Sequence, residues 1–419
     1  MSGGERRIGP LTAAGLVAGN MIGSGVYLLP ATLAPVGGIS LLGWLLGALG
    51  ALGLAGAYAG LALARPSEDG VTEYPSLLHR LFGPQAGLAY WASCWIGNAA
   101  IALAAVGYLA EFAPALGTPG PALWAAIGLI VLFALMNAAG ARLVARFASA
   151  TLLIGLVPIV AVIAAGLFRF DPALFAANWN PGERTLGEAV PGSLVLVFWA
   201  FLGLESATVC ARAVRDPARN IPRAVFLGVG LAAAVYVLAF AALAGLVPMA
   251  ELARSSAPFA DAAGAWLGPA AGLIVAACAL AKTLGAVAGW VLVTAEAGRS
   301  CARAGALPAW FREPGDGTPR RNLALGAGLM IVSGVLSVSP AAGEQFGVLI
   351  EVSTLLMLWV YLLCALALFR LSAPVGFKLA ALAGAAFSAW AITASRPELL
   401  LIAGAMIVAA TVAPRVLGR

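Results

Sequence analysis

Twelve long apolar stretches run through this 419-residue sequence and constrain what the chain folds into. A helix needs roughly 20 apolar residues to cross the hydrocarbon core of a bilayer. The chain is 62% hydrophobic and only 10% charged, whereas soluble domains carry roughly 25% charged residues. We therefore predict an all-α integral membrane protein of about 12 transmembrane helices. The predicted spans lie near residues 11–34, 39–64, 86–112, 122–140, 148–168, 190–211, 223–247, 268–298, 323–339, 346–369, 376–394 and 397–414.

The last two predicted spans are nearly continuous, because only Ser395 and Arg396 separate them. A count of 11 helices therefore stays open. The polar segments between spans reach about twenty residues, which leaves room for short interfacial helices and for nothing larger. We predict one transmembrane domain over residues 1–419.

Lysine and arginine are distributed unevenly between alternate loops. With the N-terminus inside, all but five of the 24 Lys and Arg residues fall in cytoplasmic segments. Cytoplasmic loops keep positive charge during insertion, so we predict that both termini are cytoplasmic. The same bias explains the net charge of +6 and the pI of 9.3 without a nucleic-acid partner. The five exceptions are Arg169, Arg184, Arg254, Arg396 and Lys282.

Residues that carry covalent or metal chemistry are sparse in this sequence. The five cysteines show no CxxC spacing, and His79 is the single histidine. A zinc site needs clustered Cys or His, and a membrane-embedded enzyme needs clustered His, Asp or Glu. We therefore predict no metal, no cofactor and no enzyme activity. A channel is also disfavoured, because no continuous polar stripe follows several spans.

Two predicted spans are interrupted by small and polar residues. The first contains "GNMIGSGVYLLP" at residues 19–30, and the sixth contains "FWAFLGLESA" at residues 198–207. Each opens a half of five spans, at 11–168 and 190–369, and residues 376–414 add two more. Paired interruptions indicate an inverted-repeat transporter with its site near the bilayer midplane. The alternative is close helix packing through small residues, since Gly15, Gly19 and Gly23 recur every four positions.

Irregular backbone is tolerated at membrane depth only where it lines a cavity or is buried in protein. Glycines let the first span unwind, and the freed amides at the start of the next half-helix favour an anion such as a carboxylate. The Ser24 hydroxyl adds a donor. Glu205 lies within the sixth span, and an ionisable side chain at that depth is functional by default. Its alternative is a protonated, hydrogen-bonded structural role.

Several motifs together resemble the amino acid, polyamine and organocation transporters, most closely the bacterial arginine/agmatine and putrescine/ornithine antiporters. The motifs keep their order and spacing along nearly the whole chain. They are "GNMIGSGVYLLPATLAPVGG", "YWASCWIGN", "FWAFLGLESA", "RDPARNIPRA" and "SAPFADA". The resemblance implies a LeuT-type 5+5 inverted repeat of ten core helices plus two. It also implies a location in the bacterial inner membrane, often as a homodimer in contact with lipid.

The resemblance also implies roles for individual residues. The substrate carboxylate would bind Ser24 and the amides around Gly23 and Gly25, with Met21 and Ile22 nearby. The α-amino group would meet carbonyls around Trp199 and Leu202. Trp199 would cover the substrate from outside, and Trp290 would lie below it. Aromatic faces attract cations, although Trp is also common at membrane interfaces. The side-chain pocket would contain Ser93, Cys94, Asn98 and Ser353, and the gating residues would be Tyr90, Glu205 and Tyr361.

Lys282 and Glu351 depart from the family pattern, which has small or neutral residues at these points. Both lie in spans that approach the substrate pathway, so we consider that the two charges meet. Lys282 would then replace a coupling ion or titrate with Glu351, which gives proton-linked transport. Alternatively, its charge repels a dicationic ligand, or the two residues form a neutralising packing pair.

The sequence thus predicts a secondary active amino-acid transporter that works by alternating access. The favoured form is an antiporter that exchanges a cationic amino acid, such as arginine, ornithine or lysine, for a related amine or amino acid. The alternative is a proton-coupled symporter or an exporter of neutral amino acids on the same fold.

Overall fold

The computed structural model describes residues 9–23, 25–65, 70–204, 216–315, 317–337 and 342–417. Within these ranges, every regular element is helical. The helices are α1 Pro10–Met21, α2 Gly25–Leu33, α3 Ser40–Ala64, α4 Gly70–Ser76, α5 Phe82–Ala110, α6 Pro119–Ala139, α7 Ala141–Arg169, α8 Pro172–Asn178, α9 Leu186–Phe198, α10 Pro217–Ala244, α11 Met249–Leu252, α12 Pro258–Leu267, α13 Pro269–Arg303, α14 Arg320–Leu336, α15 Ala342–Ala367, α16 Val375–Thr393 and α17 Pro397–Leu417. Short 3-10 turns occupy Pro114–Gly117, Trp199–Phe201, Ala309–Phe311 and Leu368–Arg370.

Nine helices in the described part of the chain are long and apolar enough to cross a membrane. They are α3, α5, α6, α7, α10, α13, α15, α16 and α17. The prediction of an all-α membrane protein is confirmed. Helix α16 ends at Thr393 and α17 begins at Pro397, so the last two predicted spans are separate helices rather than one.

The first predicted span is broken, as the glycine-rich sequence indicates. Helix α1 ends at Met21, where the Ile22 amide donates to the Ala18 carbonyl at 2.7 Å and the Gly23 amide donates to the Met21 carbonyl at 2.6 Å. Helix α2 begins at Gly25. Ser24 lies outside the described residues.

The sixth predicted span is broken as well. Helix α9 ends at Phe198, and the chain then forms a 3-10 turn over Trp199–Phe201. Leu202 is extended, with φ −64° and ψ 144°, and Gly203 has φ +99°, a conformation that glycine adopts without strain. Residues 205–215, including Glu205, lie outside the described residues.

Helix α5 forms the centre of the bundle and packs against α13 and α15. Most of its side chains are buried, whereas α6 and α17 expose apolar side chains such as Leu135 and Leu401. Exposed apolar side chains on this scale suit lipid tails rather than water. The enclosed face of α5 therefore lies inside the bundle, beside the broken helices.

Candidate functional site

A small cavity lies between the two helix breaks. Its walls come from both broken segments and from α5, α13 and α15. The described lining residues are Met21, Gly23, Tyr90, Ser93, Cys94, Gly97, Asn98, Ile101, Trp199, Ala200, Leu202, Trp290, Ser353 and Met357.

Most residues predicted for the site lie in this wall. The cavity brings together Met21, Gly23, Tyr90, Ser93, Cys94, Asn98, Trp199, Leu202, Trp290 and Ser353. Ile22 and Tyr361 are buried and are not among the described lining residues, and Gly25 begins α2. Ser24 and Glu205 lie outside the described residues.

Four lining residues were missed by sequence reasoning: Gly97, Ile101, Ala200 and Met357. Helical spacing supplies the signal for two of them, because residues three or four apart share a face. Ile101 follows Asn98 by three positions, and Met357 follows Ser353 by four. Gly97 and Ala200 adjoin predicted site residues.

A pair of serines joins α5 to α15 in the cavity wall. The Ser353 hydroxyl donates to the Ser93 carbonyl at 2.9 Å, and the two hydroxyl oxygens lie 3.0 Å apart. Since Ser353 has used its proton, Ser93 donates across that second contact. A methyl group on Gly97 would overlap the Trp199 ring and lie 3.0 Å from the Ser353 hydroxyl oxygen. Glycine at this position therefore lets the Trp199 indole lie against α5.

Asn98, a residue of the cavity wall, has a buried and unpaired acceptor in its side chain. The residue is 1% exposed, its Nδ2 donates to the Met330 sulfur at 3.5 Å, and its Oδ1 has no hydrogen-bond partner among the described residues. A buried acceptor left unpaired costs about 1–3 kcal/mol. A ligand ammonium that donates to this oxygen would remove that cost.

The described cavity wall contains no Asp, Glu, Lys or Arg. Its polar groups are hydroxyls, a thiol and an amide, and its large surfaces are the rings of Tyr90, Trp199 and Trp290. Aromatic faces attract an ammonium by about 0.5–2 kcal/mol. The wall therefore suits a small organic cation without holding it by a salt bridge.

The start of α2 carries a partial positive charge and complements the cation-binding wall. The first amides of any helix lack partners within the helix and carry the positive end of its dipole. No acidic residue occupies the first turn of α2. These amides adjoin the break at Gly23, a cavity residue, so this end of the cavity favours an anionic group such as a carboxylate.

Aromatic side chains hold α2 in place. Tyr27 is fully buried, and its hydroxyl donates to the Gly155 carbonyl of α7. Its ring contacts Tyr108 at 5.8 Å and Phe259 at 5.6 Å between centroids, and the Tyr108 hydroxyl donates to the Tyr27 carbonyl at 3.1 Å. The amides at the helix break are therefore attached to a rigid support.

Tyr361, predicted as a gating residue, lies behind the α9 break. It is fully buried, and its ring makes edge contacts with Tyr58 at 5.7 Å and Phe198 at 6.3 Å. Its neighbour Met357, one turn earlier in α15, reaches the cavity. Tyr361 therefore contacts the helix break and not the cavity.

The predicted meeting of Lys282 and Glu351 is wrong. The Glu351 carboxylate accepts from Arg396 Nε at 3.1 Å and Nη2 at 3.0 Å, in the segment between α16 and α17. The side chain of Lys282 instead packs on Gly155 of α7. The position of a residue along α13 or α15 predicts how deep its side chain lies in the membrane, but not which way the side chain points. Lys282 and Glu351 contact different neighbours. Repulsion of a ligand by Lys282 also loses support, because Lys282 is not among the residues that line the cavity.

Comparison with known proteins places this chain in a family. Residues 8–417 match the family described as amino acid permease. The chain is 38% identical over 371 residues to the cadaverine/lysine antiporter of Escherichia coli (strain K12), over 87% of this chain and 84% of that protein. It is 33% identical over 395 residues to the putrescine transporter PotE of the same strain, covering 91% and 89% of the two chains. PotE of Haemophilus influenzae is 32% identical over 412 residues, covering 96% and 94%.

These matches span nearly the full length of the chain and of its relatives, and they confirm the resemblance that the sequence motifs indicated. The apolar helices found in the described ranges and the bacterial relatives confirm a multi-pass inner-membrane location. The chain therefore belongs to the amino acid permease family and is a membrane transporter, not an enzyme.

Proposed function

We propose that this transporter is an antiporter that exchanges a cationic amino acid, of which lysine is the best candidate, for a related diamine such as cadaverine or putrescine. The observation that carries the proposal is the cavity between the two helix breaks. It combines an unpaired Asn98 oxygen and aromatic faces with the amide-rich start of α2. The relatives support the same substrate class, since their names specify cadaverine, lysine and putrescine.

In the proposed complex, the carboxylate of the amino acid binds the Gly25 amide and the Ser24 hydroxyl, beside Met21, Ile22 and Gly23. The α-amino group meets carbonyls around Trp199 and Leu202. The side-chain ammonium donates to Asn98 in the pocket formed with Ser93, Cys94 and Ser353. A diamine has no carboxylate and uses the ammonium contacts alone, so it binds the same cavity through fewer contacts.

Trp199 covers the substrate from the outside and Trp290 lies below it. Tyr90, Tyr361 and Glu205 are the proposed gating residues. Both termini are proposed to lie in the cytoplasm. In the proposed alternating-access cycle, the two repeats, 11–168 and 190–369, move relative to each other around the site. Residues 376–414 lie outside the repeats.

A reporter fused to the C-terminus tests the orientation, and cross-linking in the membrane tests the proposed homodimer.

Lys282 remains the proposed proton-linked residue, now without Glu351 as its partner. A buried lysine within a span is costly to keep and is by default functional. Replacing Lys282 by Met and measuring uptake against pH tests the role. Loss of the pH dependence supports it, whereas unchanged pH dependence and unchanged selectivity limit Lys282 to packing.

A proton-coupled symporter or an exporter of neutral amino acids is not favoured. A neutral side chain leaves the Asn98 oxygen unpaired, and the relatives found carry amines or lysine in their names. Substrate inside the vesicle also distinguishes antiport from symport. An antiporter must bind a ligand on the far side of the membrane before its site returns to the first side, whereas a symporter returns without a bound substrate.

Uptake of labelled lysine into proteoliposomes tests the proposal. Vesicles preloaded with cadaverine should accumulate label several-fold faster than empty vesicles, because each return step then carries a ligand. Unlabelled lysine, cadaverine and putrescine should compete with the label, and leucine should not. Uptake that is indifferent to preloading would indicate symport, and failure of every amine to compete would overturn the substrate class.

A further inference from the structure

Helix α16 lies outside the two repeats yet packs directly on α3. A methyl group on Gly53 would lie 2.8 Å from the Gly384 amide nitrogen, and one on Gly384 would lie 2.7 Å from the Leu54 amide nitrogen. The two backbones therefore touch, and no side chain fits between them. Such a contact fixes the position of α16 against the core.

One turn further along α16, Phe387 lies over Gly50 of α3. A methyl group on Gly50 would overlap the Phe387 ring, and the phenylalanine is 8% exposed. The ring is therefore held between the α3 backbone on one side and its next neighbour on the other.

That next neighbour is Phe198, the last residue of α9. The Phe387 and Phe198 rings lie 5.0 Å apart between centroids at an interplanar angle of 45°. Phe198 is fully buried and also contacts Phe201 at 6.0 Å and Tyr361 at 6.3 Å. We call Phe198, Phe201 and Phe387 the aromatic buttress.

The α-helix ends at Phe198, and the backbone beyond it is held by few hydrogen bonds. The Trp199 amide still donates to the Val195 carbonyl of α9, and the Leu202 amide donates to the Trp199 carbonyl at 3.2 Å. The Tyr236 hydroxyl donates to the Ala200 carbonyl at 3.0 Å. The position of Trp199 is thus set by the end of α9 and by neighbouring side chains, with Gly97 against its ring and the buttress packed on Phe198.

We propose that Phe387 is a positioning residue that holds Trp199 over the substrate. Phe387 does not line the cavity, and it acts through Phe198, which is joined directly to Trp199. Without the ring, Phe198 relaxes into the vacated space and the Trp199 indole moves with the shared backbone. The inference rests on the proposed function of Trp199 as the cover of the substrate, and it gives the peripheral helix pair a role in substrate affinity.

The test is exchange kinetics of Phe387→Ala in proteoliposomes. Small displacements of positioning groups change binding strongly, so we expect the KM for lysine to rise about tenfold with little change in kcat. Phe387→Leu fills most of the volume and should keep the KM within about threefold of the original value. Gly50→Ala pushes the ring from the other side and should also raise the KM, but it should add little in the Phe387→Ala background.

Phe377→Ala is the matched control. Phe377 lies on the same helix, is half-buried, and places its Cβ against Gly60 of α3, away from the α9 break. Phe377→Ala also removes an aromatic ring from α16 and should leave the KM unchanged. Equal KM changes in the two variants, or an unchanged KM in Phe387→Ala, would overturn the inference. If Phe387→Ala does not fold, Gly50→Ala against Phe377→Ala decides in the same way.

Trp199→Leu separates this inference from the proposed function. If Trp199→Leu leaves the KM for lysine unchanged, the covering role of Trp199 is itself wrong. If Trp199→Leu raises the KM and Phe387→Ala does not, only the positioning role of Phe387 fails.

Discussion

At the scale of single residues, Asn98 connects the geometry of the cavity to the choice of ligand. Its Oδ1 is buried in the wall and has no hydrogen-bond partner in the described part of the chain. A site built to pair with a donor discriminates strongly against ligands that lack one, because its own polar group is then left unpaired. A lysine or diamine ammonium supplies the donor, and an apolar side chain does not.

Replacing Asn98 by Ala should therefore weaken both affinity and selectivity. A hydrogen bond to a charged group contributes about 1.5–3 kcal/mol, so the affinity for lysine and cadaverine should fall at least roughly tenfold. Competition against labelled uptake measures both ligands and leucine. Asn137→Ala is the control, since Asn137 Oδ1 is also buried without a partner among the described residues but lies on α6. Unchanged preference for amines over leucine in Asn98→Ala would contradict the assignment.

Trp199 gives a second prediction at this scale. Loss of an aromatic face over a cation costs about 0.5–2 kcal/mol, so Trp199→Leu should weaken lysine binding between about twofold and thirtyfold. Trp199→Phe should recover part of the loss. Trp310→Leu is the matched control, because Trp310 is 59% exposed and stacks on Arg321 in a loop. Equal losses in the two Leu variants would show that the effect is not local to the cavity.

At the scale of helices, the sequence identified both broken spans, because glycine and polar residues within an apolar stretch favour an interrupted helix. It identified one face of α5 as well, through Ser93, Cys94 and Asn98. It did not give the rotation of each helix, which depends on packing against neighbours far away in sequence. For that reason the sequence placed Lys282 near Glu351 rather than against Gly155, and it did not show that Tyr361 contacts Phe198.

Lys282 in α13 gives a prediction about stability. Its stem packs on Gly155, and it makes no ion pair with the described residues. A buried ammonium without a carboxylate is unfavourable, so Lys282→Met, which keeps the length of the stem, should raise the melting temperature in detergent. Gly155→Ala should lower stability by about 1–3 kcal/mol, because the new methyl group meets the lysine stem. A lower melting temperature for Lys282→Met would contradict this reading.

The start of α14 gives a prediction about pH. The Glu313 carboxylate accepts from the backbone amides of Arg321 at 2.9 Å and Asn322 at 3.1 Å, and from Asn322 Nδ2 at 2.7 Å. Burial acts to raise the pKa of Glu313, but these hydrogen bonds outweigh it and hold the pKa below the ordinary value of 4.5. Since the pKa is lowered on folding, the stabilisation is present above that ordinary value and is lost as the pH falls through the folded value.

Glu313→Gln should therefore be less stable than the original protein at pH 7, by roughly 1 kcal/mol as for other helix caps. The difference in melting temperature should shrink as the pH is lowered below 4.5. Thermal unfolding in detergent from pH 7 to pH 3 measures it. A difference that stays constant over this range would show that the carboxylate charge does not stabilise the start of α14.

At the scale of the whole molecule, the described part of the chain forms a bundle of apolar helices with a cavity where two of them are broken. The apolar stretches made the membrane fold predictable, and the paired interruptions made the position of the site predictable. The contribution of α16 to the site was not predictable, because glycine-on-glycine packing between α3 and α16 has no periodic polar pattern in the sequence. In this account, the repeats bind the ligand and a helix outside them holds its cover in place.

A structure determined with saturating lysine tests the central claim most directly. We expect ligand density in the cavity between the breaks, with the carboxylate at the start of α2 and the side-chain ammonium within hydrogen-bond distance of Asn98 Oδ1. Lysine bound elsewhere, or an empty cavity with Asn98 Oδ1 paired to the protein, would contradict the account.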